Sequence, residues 1–260
     1  MKILCIFYGI GRGLDISEPS IRSSIISPLR RLGHDLDLAY LHQPLEYIDN
    51  PRSGENGAIS PVSEGVFDGA TKHCFPFEDV FDGALFAHSK SFKDSHGDKY
   101  TSNKNIICQL NLISKSVHLY NFSDYDRILL CRDDLLFEKS NLQWSKMISA
   151  SASAAVISMW CWNKGLSERF LLASPRIASL FATRIGCAKA AIEEYGTLNA
   201  ERLQYFVAKK NAIKVASLDL KFFRCRINSR IHKEKFRIPY WRPFETMRIM
   251  ISVIRYRART

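Results

Sequence analysis

The opening of the chain constrains its fold more than any other stretch. Residues 2–8 form a run of bulky apolar side chains with little alternation, the pattern of a strand buried on both faces. Gly9-Ile10-Gly11-Arg12-Gly13 ends the run. Pro19 then opens a helix in which Ile21, Ile25, Leu29 and Leu32 recur at helical spacing, Pro28 is placed to kink it, and Gly33 closes it. Residues 36–41 read as a second strand. A strand, a helix and a strand in succession predict a parallel pair, because parallel neighbours need a crossover whereas antiparallel ones need only a turn. The fold class expected is α/β, one Rossmann-like domain with a mostly parallel central sheet.

The chain has 260 residues, 46% of them hydrophobic, which suits one such domain. Further on, Asn103 is placed to cap a helix running to Leu119, residues 127–131 form a buried strand, and residues 154–159 and 213–218 form others. Ser174-Pro175 and Asn199 read as helix starts. Residues 49–103 are rich in Gly, Ser, Asp, Asn and Pro and read as a long irregular loop or lid. That segment repeats Val-Phe-Asp-Gly-Ala at 66–70 and 80–84, too few copies for a solenoid.

Seven cysteines, an odd number, include no Cys-x-x-Cys pair and sit mostly in apolar runs. Buried free thiols in a reducing compartment fit better than a disulfide framework or a zinc site. The first apolar run is too short for a signal peptide, and no stretch approaches about 18 apolar residues, so a cytoplasmic location is expected. The formal charge is +11, and its placement matters more than its size. Residues 221–260 hold twelve Lys or Arg against two Glu, a balance of +10, leaving +1 for the other 220 residues. Such a tail implies an anionic partner. Within it Pro243 opens a helix with Phe244, Met247, Met250, Ile251 and Ile254 on one side and Glu245, Arg248, Ser252 and Arg255 on the other. This basic amphipathic helix either lies on an anionic membrane surface or packs its apolar side on the body. The chain therefore divides into a domain at 1–227 and a basic segment at 228–260.

Four constellations carry chemistry. Arg132-Asp133-Asp134 follows a buried strand, so two carboxylates stand at the edge where ligands bind in open parallel sheets. They would hold Mg²⁺ or Mn²⁺ against a diphosphate, or else cap the next turn. Gly9, Gly11 and Arg12 let backbone and a guanidinium approach phosphate, or form a plain turn. With Leu at 14 and no Lys-Ser/Thr pair, that loop matches neither a dinucleotide fingerprint nor a P-loop. Glu201, and less distinctly Glu168 and Asp219, could serve as a base or hold a hydroxyl, or be exposed charges. Arg224 and Arg226 would share one face of a strand, ready for a diphosphate or for solvent. The histidines lack metal-ligand spacing, and His42, just after the second strand, either faces the cleft or is structural.

This layout resembles that of small bacterial glycosyltransferases of surface-polysaccharide biosynthesis, built on the nucleotide-sugar fold called GT-A. The opening strand with Tyr8-Gly9-Ile10-Gly11-Arg12, the strand from Tyr125 through Arg132-Asp133-Asp134-Leu135, and the Glu201 helix followed by Arg224 and Arg226 carry the likeness over most of residues 1–227. The resemblance implies a UDP-, GDP- or CMP-sugar donor and Mn²⁺ or Mg²⁺ on an Asp-x-Asp motif. Asp134 matches the last Asp of that motif, with Asp133 as a helper, and Arg132 stands where the first would be. That departure bears directly on the metal. The resemblance also puts Arg12 near the nucleotide and Glu201 near the acceptor or the reacting centre; the acceptor is a saccharide or lipid-linked hydroxyl, and the basic helix would lie flat on the inner membrane surface close to it. Another nucleotide-dependent transferase or hydrolase, and a catalytically inactive relative, remain open. A nucleic-acid-binding module using the tail is a further alternative, but the tail lacks interleaved stacking aromatics and any known motif.

Overall fold

Strand β1 (Lys2–Gly9) pairs in parallel with β2 (Asp35–His42), as the opening pattern requires. The computed structural model describes residues 1–50, 52–138, 142–160, 165–227 and 230–232. The basic amphipathic helix expected at 243–257 lies outside the described residues. The remaining strands are β3 (Tyr47–Asn50), β4 (Glu55–Ala58), β5 (Thr71–Cys74), β6 (Arg127–Arg132), β7 (Leu135–Phe137), β8 (Ala155–Ser158), β9 (Phe170–Ala173), β10 (Val215–Leu218), β11 (Phe222–Cys225) and β12 (Ile231–His232). Seven of them form a central sheet in the order β10-β8-β9-β6-β1-β2-β5. Four of its pairings are parallel, and β9 alone runs against its two neighbours. The fold is thus α/β with a mostly parallel sheet.

β1 is interior, with β2 on one side and β6 on the other. Its even residues Leu4, Ile6 and Tyr8 join one apolar cluster, and its odd residues Ile3, Cys5 and Phe7 join a second. Alternate side chains of a strand point to opposite faces, so a strand covered by helices on both must be apolar throughout. The first cluster is completed by the helix Thr101–Ser114 and the helices after residue 188, the second by residues 21–29. Each fully buried Leu, Ile or Phe here contributes on the order of 1.5–3 kcal/mol.

The first helix begins earlier than Pro19. It runs Leu14–Ile21, passes through a π-helical turn at Arg22–Ile26, and continues as Ser27–Arg31. The irregularity sits where Pro28 has no N–H for the carbonyl four residues back, that of Ser24. The Trp144 indole Nε1–H donates to that carbonyl instead, at 3.0 Å. A polar group stranded by sequence is satisfied from another element.

Residues 49–103 are more ordered than their composition suggests. They hold the antiparallel hairpin β3–β4, the edge strand β5 and two short helices, Phe77–Val80 and Gly83–Lys90. The two Val-Phe-Asp-Gly-Ala copies differ in structure. Asp68 pairs with Arg22 and Arg30, whereas Asp82 caps the helix Gly83–Lys90 by accepting from Leu85 N–H at 2.8 Å. Asn103, by contrast, is not a cap. The helix starts at Thr101, Asp98 accepts from Ser102 N–H, and Asn103 is buried with its amide on Ser89.

After Arg132 the chain leaves the central sheet. β7 pairs antiparallel with β11, and β11 with β12, in a three-stranded second sheet. The Arg132-Asp133-Asp134 turn is the crossover between the sheets, which buries it. Ile231–His232 carries that sheet past residue 227. The six described cysteines are free, and Cys74 is exposed. No helix among the described residues is long and apolar enough to cross a membrane.

Candidate active site

Sheet register brings the first two constellations together. Tyr8 of β1 lies opposite Arg132 of β6, so the glycine turn after β1 and the Asp pair after β6 emerge side by side. β2 flanks β1 on one side and β6 on the other, which makes this a point where strand order reverses. A cleft of about 700 Å³ opens here. Gly9, Arg12, Arg132, Asp133 and Asp134 line it, as do Glu201, Arg224 and Arg226. Gly11 does not line it, and its N–H donates to Asp133 Oδ2 at 2.8 Å.

Asp133 is a brace for the glycine turn. Its Oδ2 also accepts from Tyr40 O–H at 2.9 Å, and its backbone N–H donates to Tyr8 O. Its carboxylate fills the space beside Gly9, where an added Cβ would lie 2.0 Å from Oδ1. Burial, then the neighbouring Asp134 charge, push its pKa up to about 7, against the pull of the Gly11 and Tyr40 donors.

Asp134 is the centre of an ion-pair cluster. Arg132 grips it in bidentate fashion, Nε to Oδ1 at 2.9 Å and Nη2 to Oδ2 at 2.7 Å. Arg12 Nη2 donates to the same Oδ2 at 2.9 Å, and Arg12 Nη1 donates to Glu55 Oε2 at 3.1 Å. Glu55 also accepts from Arg226 Nη1 at 2.9 Å. Burial alone would raise the Asp134 pKa, yet the Arg132 and Arg12 guanidiniums hold it well below the usual carboxylate range. Arg226 is pushed down to about 9 by burial and by repulsion from Arg12 and Arg224.

Glu201 stands in the first turn of the helix Ala200–Lys210, which Asn199 caps as expected. Its backbone packs so closely on Gly165 that a Cβ there would fall 2.1 Å away. Burial and the nearby Glu168 raise its pKa to about 7. Glu168 accepts from Gln109 Nε2 at 2.8 Å and pairs with Arg132 Nη1 at 3.4 Å. Of the other acids considered, Asp219 does not line the cleft and instead accepts from the Trp160 indole at 2.7 Å. His42 does not line it either. Its Nδ1 sits 3.1 Å from Tyr40 Oη, and burial, then Lys72, push its pKa down to about 4. Glu168, considered beside Glu201 from the sequence, does line the cleft. Glu55, Gln109 and Tyr40 complete the site without a sequence signal of their own, and of these only Glu55, a lone acid in a Gly/Ser-rich stretch, could have been queried for a buried partner.

The residues present do not fit a divalent cation. Both Asp134 oxygens accept from guanidiniums, and Asp133 Oδ2 is held by Gly11 and Tyr40. Among the described residues no group of three or more His, Cys, Asp or Glu is placed to hold a metal ion. A cation beside Asp134 would also face Arg12 and Arg132 at contact range, where like charges repel by several kcal/mol.

The Asp133 carboxyl makes stability pH-dependent. Its folded pKa of about 7 exceeds its ordinary value of 3.8, so between these the folded chain holds a proton that the unfolded chain releases. The stabilisation this provides is full below about pH 4 and is lost as pH rises through 7. Unfolding free energy is therefore expected to fall between pH 5 and pH 8, and Asp133→Asn should flatten that slope. Urea denaturation at pH 5, 6, 7 and 8 measures it, and identical slopes for the two proteins would refute the assignment.

No protein-family model matches the sequence, and no curated protein does. Among solved structures, the chain is similar to mouse xyloside xylosyltransferase 1 in its apo form, at 12% identity and a TM-score of 0.44, covering 84% of this chain and 85% of that one. It is also similar to a putative nucleotide-diphospho-sugar transferase from Desulfovibrio desulfuricans G20, at 11% identity and a TM-score of 0.43, covering 83% of this chain and 79% of that one. Likeness at this level assigns neither a reaction nor residue roles to this chain.

Proposed function

We propose that this chain is a glycosyltransferase that moves a sugar from a nucleotide-sugar donor to a saccharide or lipid-linked hydroxyl, in surface-polysaccharide biosynthesis. One observation carries the reading. The switch point of an α/β sheet opens into a cleft in which Asp134 is clasped by Arg132 and Arg12, beside a glycine turn that lets backbone approach a ligand. Sugar transfer from such a donor builds negative charge on the leaving diphosphate, so catalysis asks for preorganised positive groups rather than for a protein nucleophile. Gly9 and Gly11 would shape the donor side, and Arg12, Arg132, Arg224 and Arg226 would face its phosphates. Glu201, with a pKa near 7, suits proton transfer at the acceptor hydroxyl, since a base works best when its pKa is near the working pH. The basic tail at 228–260 would hold the enzyme against anionic lipid on the cytoplasmic side, near a lipid-linked acceptor.

The test is release of nucleotide from a panel of UDP-, GDP- and CMP-sugars, with and without a mixed saccharide acceptor. Turnover of at least one donor, lowered at least about 100-fold in Glu201→Gln with donor binding kept, is expected on the scale of a lost acid–base group. Failure to turn over or bind any donor sinks the reading. A second arm sediments the chain with anionic vesicles. Equal binding after removal of residues 243–260 discards the membrane placement and leaves the chemistry standing.

A further inference from the structure

We infer that the cleft binds the donor's diphosphate without a divalent cation, the guanidiniums of Arg12 and Arg226 supplying the charge that a metal would otherwise bring. The inference rests on the donor reading above and narrows it. Three independent observations support it.

The first is the state of the carboxylates. A bridging metal needs carboxylate oxygens open toward the ligand, and those of Asp134 are spent on Arg132 and Arg12. Arg132 grips both oxygens of Asp134 in bidentate fashion, which excludes a cation from between them. Positive charge is therefore presented to the cleft by Arg132 and Arg12.

The second is charge balance. Among the described residues, seven Arg and Lys side chains line the cleft against five Asp and Glu. Burial, then repulsion from Arg12 and Arg224, depress Arg226 even with Glu55 paired to it. An arriving diphosphate would relieve that repulsion, whereas an arriving divalent cation would add to it.

The third is how the two arginines are held. Both are over nine-tenths buried, with Nε atoms that have no hydrogen-bond partner among the described residues. Glu55 binds one Nη1 of each, at 3.1 and 2.9 Å, while Ser53 O–H and Ile227 N–H donate to Glu55 in turn. Glu55 does not line the cleft, so it acts as a positioning residue that fixes two forks reaching it. Each fork keeps N–H groups beyond those that Glu55 and Asp134 accept, and a planar fork matches the oxygens of a phosphate.

The experiment is calorimetric titration of the full chain with UDP, GDP, CDP and inorganic pyrophosphate, each in EDTA and again in excess Mn²⁺. At least one nucleoside diphosphate is expected to bind in EDTA, with an affinity that Mn²⁺ changes by less than about 3-fold. Arg226→Gln should weaken that binding by about 30-fold, the scale of a lost charge-assisted hydrogen bond. Arg226→Lys should recover part of the loss and guards against a folding defect in the glutamine variant. Binding that appears only with Mn²⁺ overturns the inference, as does a folded Arg226→Gln protein that binds like its parent, or no diphosphate binding under either condition. Sugar turnover that requires Mn²⁺ would defeat this inference and leave the donor reading intact. Metal-free diphosphate binding without turnover of any sugar would do the reverse.

Discussion

Replacing Asp134 by alanine is expected to lower the unfolding free energy by about 3–5 kcal/mol, the scale for stripping one partner from a buried charge cluster. The Asp134 side chain is 1% exposed, and the two arginines that grip it are 10% and 15% exposed. Cleft water would replace the carboxylate only in part, and the mutual repulsion of the two guanidiniums would no longer be offset. Sugar transfer should fall at least about 100-fold, because both arginines lose the anchor that aims them at developing phosphate charge. Asp134→Asn keeps the shape and one acceptor oxygen, so it should cost less stability while still losing activity. Urea denaturation and donor turnover on both variants measure these outcomes. An alanine variant within about 1 kcal/mol of the parent would mean that the cluster relaxes at little cost, against the burial seen here.

Gly9→Ala should be nearly as damaging for a different reason. The added Cβ would lie 2.0 Å from Asp133 Oδ1 and 2.2 Å from its Cγ. Asp133 cannot retreat, because its Oδ2 is fixed by Gly11 N–H and Tyr40 O–H and its own N–H by Tyr8. Either β1 and β6 part at the Tyr8–Arg132 register or the carboxylate loses its donors. Overpacking of this kind costs about 1–3 kcal/mol, and an unsatisfied buried carboxyl adds about as much again. The glycine turn would shift with it, so donor binding should fail even in the fraction that folds. Thermal unfolding together with calorimetric titration of UDP, GDP and CDP separates the two losses. A variant with parental stability and binding would show that the turn has slack that its packing denies.

Much of this was legible because it depends on neighbours in the chain. The apolar run of β1, the helix with Ile21, Ile25 and Leu29, and β2 follow from local periodicity, and together they dictate a parallel sheet. The Arg132-Asp133-Asp134 turn could be picked out because a buried strand that ends in charges delivers them to the end of the sheet, where ligands bind. Other features depend on partners far away in sequence. β9 is four apolar residues, Phe-Leu-Leu-Ala, with no period to read, and it becomes an antiparallel strand only because β6 and β8 leave a slot for it. Order in residues 49–103 comes from β5 pairing with β2 and from Glu55 reaching Arg12 and Arg226.

The turn itself shows where that boundary runs. Its sequence and place after a strand determined that charge would stand at the mouth of the sheet. Only the tertiary structure decided the sign presented to a ligand. Sheet register put Gly9 and Gly11 against Asp133, and the second sheet brought Arg226 beside Arg12 over Glu55. Two aspartates read along the chain look like a cation site. Folded, Asp134 is clasped by Arg12 and Arg132 and Asp133 braces the glycine turn, which is the arrangement behind the anion site proposed above, because charges act through space and only folding sets the distances.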